Sequence, residues 1–306
     1  MIPKVAVIIL NWKQPQLTLD TVNSFFKTKH SGFDYQIILI DNGSPDDSVK
    51  IFENAFGKNP SVTILKTKTN LGYVGGNNLG IKYGLKNKYD YFLIVNNDVL
   101  FHPQFLEELF KIIKHTPKSF LAPKIYFAPG FEFHKDRYSK KDLGKVIWSI
   151  GGIVDWQNIY GSNLGIDEVD RGQYDLHLPP SDFISGCCFM VSRQFFRDVG
   201  LFDEKYYLYL EDADLSRRAI RSGYQLRVVP DSIIWHVNSG SSGAGSNLHD
   251  YFLTRNRLLF TYRYACLRTK FAVFRESLNQ LFHGRPWQKR GVADFYLGRL
   301  NQGSWK

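Results

Sequence analysis

A chain of 306 residues with 43% hydrophobic content has apolar material for one large α/β domain or two small ones, which excludes a disordered or fibrous protein. No apolar run approaches the roughly 18 residues that cross a bilayer, and the N-terminus lacks the basic-then-apolar layout of a signal peptide, so a cytoplasmic protein is expected. The net charge of +10 is uneven: residues 251–306 carry eleven Lys and Arg against Glu276 and Asp294, which leaves a near-neutral core and a basic tail suited to an anionic surface.

Strand-like runs at about residues 4–10, 35–41, 61–66 and 90–95 alternate with helix-compatible stretches near 16–28, 46–56, 75–87 and 103–115. Such alternation implies crossover units and a mostly parallel sheet. Pro15 and Pro103 fit first-turn positions, where a missing amide hydrogen costs little. Three of the strands end in polar tips: Asn11-Trp12, Asp41-Asn42-Gly43-Ser44 and Asn96-Asn97-Asp98. Asn and Asp often begin turns. In open α/β sheets, however, nucleotide clefts lie at the carboxyl ends of the strands, and three such tips in succession favour a cleft, with Asp98 where a metal-bound diphosphate would sit.

Residues 120–180 have poor periodicity, and 131–138 read as an exposed loop. Residues 183–192 read as a strand carrying Ser185-Gly186-Cys187-Cys188, and 211–222 as a helix ended by Gly223. Residues 225–229 and 232–236 read as short strands, and the Gly/Ser run 239–246 as flexible. Cys187, Cys188 and Cys266 form no ligand-spaced set and are expected reduced and buried. From 249 to 282, Phe260, Tyr264, Leu267, Phe271, Phe274, Leu278 and Leu281 make a helical stripe, flanked by Arg257, Arg268 and Arg275 on one side and Arg263 and Lys270 on the other. That pattern fits a helix lying in a membrane interface or packing on its own domain. No nucleic-acid motif accompanies the charge, and no nucleic-acid partner is expected.

The segments Val5 to Trp12, Ile40-Asp41-Asn42-Gly43-Ser44, Asn70-Leu71-Gly72-Tyr73-Val74-Gly75-Gly76-Asn77-Asn78, Asn96-Asn97-Asp98-Val99 and Glu211-Asp212-Ala213-Asp214-Leu215, in this order, resemble the family-two inverting glycosyltransferases of GT-A fold. The likeness runs from about residue 3 to about 260 and is greatest to the rhamnosyltransferase-type branch that builds surface polysaccharides. It implies an α/β GT-A fold: a Rossmann-like, mostly parallel sheet flanked by helices, with a C-terminal helical extension. The catalytic domain would span 1–247, with a nucleotide-binding half at 1–100 and an acceptor half at 101–247, and 248–306 would form a basic amphipathic tail.

By the same resemblance, Asp98 holds the last position of the family's D-x-D motif, with Asn96 in the first. Asp98 and His236 would bind a divalent ion, Mn2+ or Mg2+, which suits oxygen and imidazole ligands. Donor contacts would come from Asn11, Asp41 (to a uracil or thymine imide), Asn70, Gly72, Gly75, Gly76, Asn96, Asn97 and Gly186. Gly76-Asn77-Asn78 stands where many relatives carry Ala-Arg-Asn, so an arginine contact is missing. Asp212 would be the base and Glu211 would orient the acceptor. The implied reaction moves a hexose or deoxyhexose, rhamnose included, from a UDP- or dTDP-sugar to a saccharide or lipid-linked acceptor. The rival readings are a nucleotidyltransferase on a related scaffold and a catalytically inactive sugar-nucleotide binder.

Overall fold

The computed structural model describes residues 2–237 and 245–305. Residues 239–244 of the Gly/Ser run therefore lie outside the described residues. The first half alternates as its periodicity predicts: β1 (Lys4–Asn11), α1 (Pro15–Phe25), β2 (Asp34–Asp41), α2 (Ser48–Phe56), β3 (Val62–Lys66), α3 (Gly72–Lys86), β4 (Tyr91–Asn96), β5 (Val99–Phe101) and α4 (Phe105–Ile113). There follow β6 (Ser119–Phe127), β7 (Ile147–Ser149), the hairpin β8 (Gly152–Asp155) and β9 (Tyr160–Asn163), β10 (Cys188–Ser192), α5 (Arg193–Asp198), α6 (Glu211–Arg221) and β11 (Gln225–His236). Three helices close the chain: α7 (Asn247–Tyr264), α8 (Leu267–His283) and α9 (Pro286–Tyr296).

The main sheet runs β3-β2-β1-β4-β10-β6-β11-β5, with β7 on β6. Strands β3, β2, β1 and β4 are parallel, so their carboxyl ends share one edge, whereas β10 runs antiparallel to β4. Side chains alternate across β1: Val5, Val7 and Ile9 meet α1, α2 and α4, while Ala6 and Ile8 join the core shared with α3, α5, α6 and α7. Helix α3 approaches closely because glycine recurs at every fourth residue; a Cβ at Gly76 would stand 2.4 Å from Leu10, and one at Gly84 2.5 Å from Phe92.

Four features differ from the sequence reading, each for a local reason. Residues 183–187 are not strand, because Ile184 and Gly186 donate their amides to side chains of α6, Ser216 and Asp212, instead of to a neighbouring strand. Residues 225–236 form one strand with a register shift between Val229 and Ile233, where Pro230 interrupts the ladder. Strand β6 lies hidden in the aperiodic middle; every one of its residues is buried, and Lys124 breaks the apolar run yet pairs with Asp170 at 2.7 Å and Asp175 at 2.8 Å. Cys187 and Cys188 are buried as expected, but Cys266 is exposed; all three are free thiols.

The basic stripe is also divided. Extended backbone at Ala265 and Cys266 breaks it into α7 and α8. Phe260 is buried in the core, Arg257 pairs with Glu276 at 2.7 Å, and Arg263 pairs with Asp203 and Asp214. These two arginines are spent inside the fold, leaving Arg268, Lys270 and Arg275 as the cations beside the part of the stripe on α8.

Candidate functional site

The parallel strands deliver their polar tips to one edge, where the tips bond one another. Asn97 donates to the Thr18 hydroxyl at 2.9 Å, Thr18 donates to Asn11 Oδ1 at 2.9 Å, and Asn11 donates to Asp41 Oδ1 at 2.9 Å. The other oxygen of Asp41 accepts the Ser44 amide at 3.0 Å, and Gly43 makes the turn at φ +72, where a Cβ would strike Thr69. Asn11 and Asp41 are thus buried members of a closed network that presents the 41–44 turn at a fixed angle.

The glycine-rich turn is held in the same way. Asn42 donates to Asn70 Oδ1 and to the Gly72 carbonyl, both at 3.0 Å, and accepts the Leu71 amide at 3.0 Å. Asn70 also accepts the Gly72 amide, so its side chain builds the turn. Gly72 is needed there: its φ is +72, and a Cβ would lie 2.6 Å from the Tyr207 ring. Gly75 and Gly76 face Leu71 and Leu10, and Asn78 clips α3 to both backbone groups of Phe202.

On the other side of the cleft, antiparallel pairing of β5 with β11 sets Val99 opposite His236 and so brings Asp98 beside the imidazole. Asp98 Oδ1 and His236 Nε2 stand 3.2 Å apart. Yet Asp98 Oδ1 and His236 Nδ1 are buried with no hydrogen-bond partner. Adjacent ligands of an octahedral ion with bonds of about 2.1 Å are about 3.0 Å apart, so the pair suits two positions on one hard divalent cation. Among the described residues no third His, Cys, Asp or Glu joins them. Trp148 packs edge-on against His236 with ring centroids 4.6 Å apart.

The acid pair opens α6. Asp212 accepts the Gly186 amide at 3.0 Å and the Ala213 amide at 2.7 Å, while Glu211 Oε2 is buried without a partner. Burial, and then the Asp212 charge, push the Glu211 carboxyl well above the usual carboxylate range; burial also raises Asp212. Asp214 is structural: it bonds Arg218, Arg263, Tyr206 and Tyr264. Gly186-Cys187 joins the two sides of the cleft, since Gly186 holds Asp212 and the Cys187 carbonyl accepts the Asn96 amide at 2.8 Å. Tyr73 ties α3 to the same point by donating to the Gly186 carbonyl at 2.6 Å.

Sequence reasoning missed several of these residues. Asn42 sits inside a motif segment but gave no sign that its amide clamps the glycine turn. Trp148 lies in the aperiodic middle. The run Tyr206 to Leu210 contains no Gly, Asn or Asp to signal a turn, yet Tyr207, Tyr209 and Leu210 have φ of 68, 70 and 65. Each such residue costs on the order of 1–3 kcal/mol and persists only where its surroundings impose it.

A family model described as Glycosyl transferase family 2 matches residues 6–200. An N-acetylglucosaminyl-diphospho-decaprenol L-rhamnosyltransferase of Mycobacterium tuberculosis is 27% identical over 70% of this chain and 70% of its own. The low-salt glycan biosynthesis hexosyltransferase Agl10 of Haloferax volcanii is 23% identical over 92% of this chain and 80% of its own. Among solved structures, GalNAc-T7 with UDP, GalNAc and Mn2+ superposes with a TM-score of 0.66 at 17% identity, over 96% of this chain; the chain spans 55% of that protein's length. The mannosyltransferase PcManGT of Pyrobaculum calidifontis, in complex with GDP-Man and Mn2+, gives a TM-score of 0.55 at 12% identity. These likenesses in structure establish a GT-A-like fold, and the family match, which spans well over half of the chain, establishes that this protein belongs to glycosyl transferase family 2.

Proposed function

We propose that this glycosyltransferase moves a hexose or deoxyhexose, rhamnose included, with inversion from a UDP- or dTDP-sugar to a saccharide or lipid-linked acceptor in surface polysaccharide biosynthesis. One observation carries the reading: Gly186-Cys187 holds the half-buried acid Asp212 on one side and the Asn96–Asp98 tip on the other. A base and a diphosphate site are therefore a dipeptide apart. The nucleoside would lie along the 41–44 turn and the glycine turn, with Asn11, Asp41 and Asn70 holding that wall, the backbone amides of the turn at Gly72, Gly75 and Gly76 nearest the diphosphate, and Asn96, Asn97 and Gly186 as further donor contacts.

Asp98 and His236 would hold the divalent cation, Mn2+ or Mg2+, which when bound stabilises charge on the departing diphosphate. Asp212 takes the proton of the acceptor hydroxyl as it attacks the anomeric carbon from the face opposite the leaving group, and Glu211 positions that hydroxyl. Screening UDP- and dTDP-sugars with and without Mn2+ tests this. The expected product has inverted anomeric configuration, and a retained configuration, or nucleotidyl transfer instead, would overturn the proposal.

We further infer a peripheral contact with anionic membrane at the cytoplasmic face, where a lipid-linked acceptor is presented. No helix among the described residues is long and apolar enough to cross a membrane. On α8, however, Leu267, Phe271, Leu278 and Phe282 share one face and are 84%, 63%, 39% and 69% exposed. Arg268 and Arg275 border this face on one side and Lys270 on the other, and each cation adds about 1 kcal/mol near an anionic surface. Co-sedimentation with phosphatidylserine vesicles should be lost in the Leu267→Ser, Phe271→Ser, Phe282→Ser triple variant and from neutral vesicles; equal sedimentation of the triple variant would make the face a protein-contact surface instead.

A further inference from the structure

The approach to the acid pair, residues 206–210, is a left-handed segment that carries a bond of its own, from the Leu208 amide to the Tyr206 carbonyl at 2.8 Å. Tyr207, Tyr209 and Leu210 are left-handed non-glycine residues, and Leu210 is the residue from which α6 starts without a side-chain cap. What imposes the conformation comes from α7. Asn256 is buried, and its Nδ2 lies within donating distance of three carbonyls: Tyr206 at 2.9 Å, Leu208 at 2.7 Å and Tyr209 at 2.9 Å. Its orientation is set by Arg255, also buried, whose Nε and Nη2 donate to Asn256 Oδ1 at 3.0 and 2.9 Å. Arg255 Nη2 donates as well to the Tyr206 carbonyl at 2.8 Å. A guanidinium has no acceptor, so Oδ1 must face it and the amide hydrogens must face the loop.

The same segment touches the donor side. Tyr207 stacks on Phe252 of α7 with centroids 4.9 Å apart, its ring fills the space that a Cβ on Gly72 would take, and its carbonyl accepts the Val74 amide at 3.1 Å. Residues 205–210 are thus a three-way joint between α7, the glycine turn and the acid pair.

We propose that Asn256, oriented by Arg255, is a positioning residue for the acid pair: it fixes the left-handed run that aims Glu211 and Asp212 at the cleft and keeps water from them. The inference rests on the reading of Asp212 as the base. Without the Asn256 amide the Leu208 and Tyr209 carbonyls lose that donor, while Tyr206 keeps Arg255, and the left-handed residues relax to ordinary backbone. The acids then drift and hydrate, and their raised pKa values fall toward those of free carboxyls.

The experiment compares full-length Asn256→Ala with Asp250→Asn, which breaks the Asp250–Arg285 pair elsewhere on α7 and leaves the joint intact. In Asn256→Ala, amide hydrogen exchange at residues 208–213 should accelerate at least tenfold and kcat should fall at least tenfold. Binding of UDP or dTDP with Mn2+ should stay within threefold, and the acid limb of the kcat profile should move to lower pH. Asp250→Asn should show none of these. If Asn256→Ala does not fold, Arg255→Lys, which removes the fork from Asn256 Oδ1, should show the same pattern at smaller amplitude. Wild-type kcat and acid limb, or exchange no faster than in Asp250→Asn, would overturn the proposal. Asp212→Asn, run in parallel, separates the two ideas: if it retains turnover the base assignment fails, whereas if it is dead and Asn256→Ala is normal only the positioning role fails.

Discussion

Polar side chains gather at the carboxyl edge of the sheet in two groups that differ in one respect. On the β1–β2 side, Asn11, Asp41, Asn42 and Asn70 spend their hydrogen bonds on one another and on nearby backbone. On the β5–β11 and α6 side, Asp98 Oδ1 has only the His236 Nε2 contact at 3.2 Å, and His236 Nδ1 and Glu211 Oε2 are buried with no hydrogen-bond partner. Buried polar groups are normally satisfied, so the first group has the character of a frame and the second that of groups awaiting a ligand. On that contrast, substitutions in the first group should lower stability, and substitutions of the acids in the second should lower turnover without lowering stability.

The largest effect is expected at Asp212, the proposed base, which the Gly186 and Ala213 amides hold in place. Asp212→Asn should cut kcat on the order of 10²-fold or more while donor binding, measured by calorimetry, stays close to wild type. Transfer within tenfold of wild type would remove Asp212 from the mechanism. Next come Asp98→Ala and His236→Ala, each expected to weaken Mn2+-dependent donor binding on the order of tenfold or more; the melting temperature of Asp98→Ala should be at or above wild type in metal-free buffer, whereas His236→Ala loses the ring packed on Trp148 and should melt lower. Excess EDTA should reproduce both. Full turnover in EDTA would mean that fixed dipoles, not an ion, balance the leaving diphosphate.

Asn11→Ala probes the frame. It takes the donor from the buried Asp41 Oδ1, while the Thr18 hydroxyl keeps the Gln14 carbonyl at 3.0 Å, and should cost about 1–3 kcal/mol of stability by urea unfolding, with an unchanged response to Mn2+. Unchanged stability with a large loss of donor affinity would reverse the assignment and make Asn11 a ligand contact.

The strands and helices of the first half were legible because they alternate in period and each strand is apolar on both faces; the polar tips followed from where those runs stop. The acid pair and His236 were singled out through resemblance in order and spacing, and the structure sets the acids at the start of α6 and His236 beside Asp98. What the sequence did not carry is the work of residues whose partners are distant along the chain. Lys124 hides β6 because a buried cation is acceptable only with Asp170 and Asp175 beside it, some 46 and 51 residues away. Residues 183–187 read as strand because their sequence cannot announce that α6 side chains will take their amides. The C-terminal stripe was visible as a helix, but periodicity assigns a face without saying whether protein or solvent meets it, so Phe260 and Leu267 looked alike although one is buried and the other 84% exposed.

The subtlest test of the contrast is the dependence of stability on pH at Glu211. Its carboxyl is raised in the folded chain by burial first and by the Asp212 charge second, and no partner compensates Oε2. A group whose folded pKa lies above its unfolded value takes up a proton on folding, so its contribution is fully present below the unfolded pKa and is lost as pH rises through the folded one. Wild-type stability should therefore decline as pH climbs out of the ordinary carboxylate range. Glu211→Gln keeps the shape, cannot ionise, and should remove that decline, leaving a variant that gains on wild type at each step upward while losing turnover. Asp212 is raised too, by burial, and stays in the variant, so a smaller slope should persist until Asp212→Asn is added. Parallel urea-unfolding curves for wild type and Glu211→Gln at every pH would show that the carboxyl carries no such strain, and Glu211 would then belong with the frame.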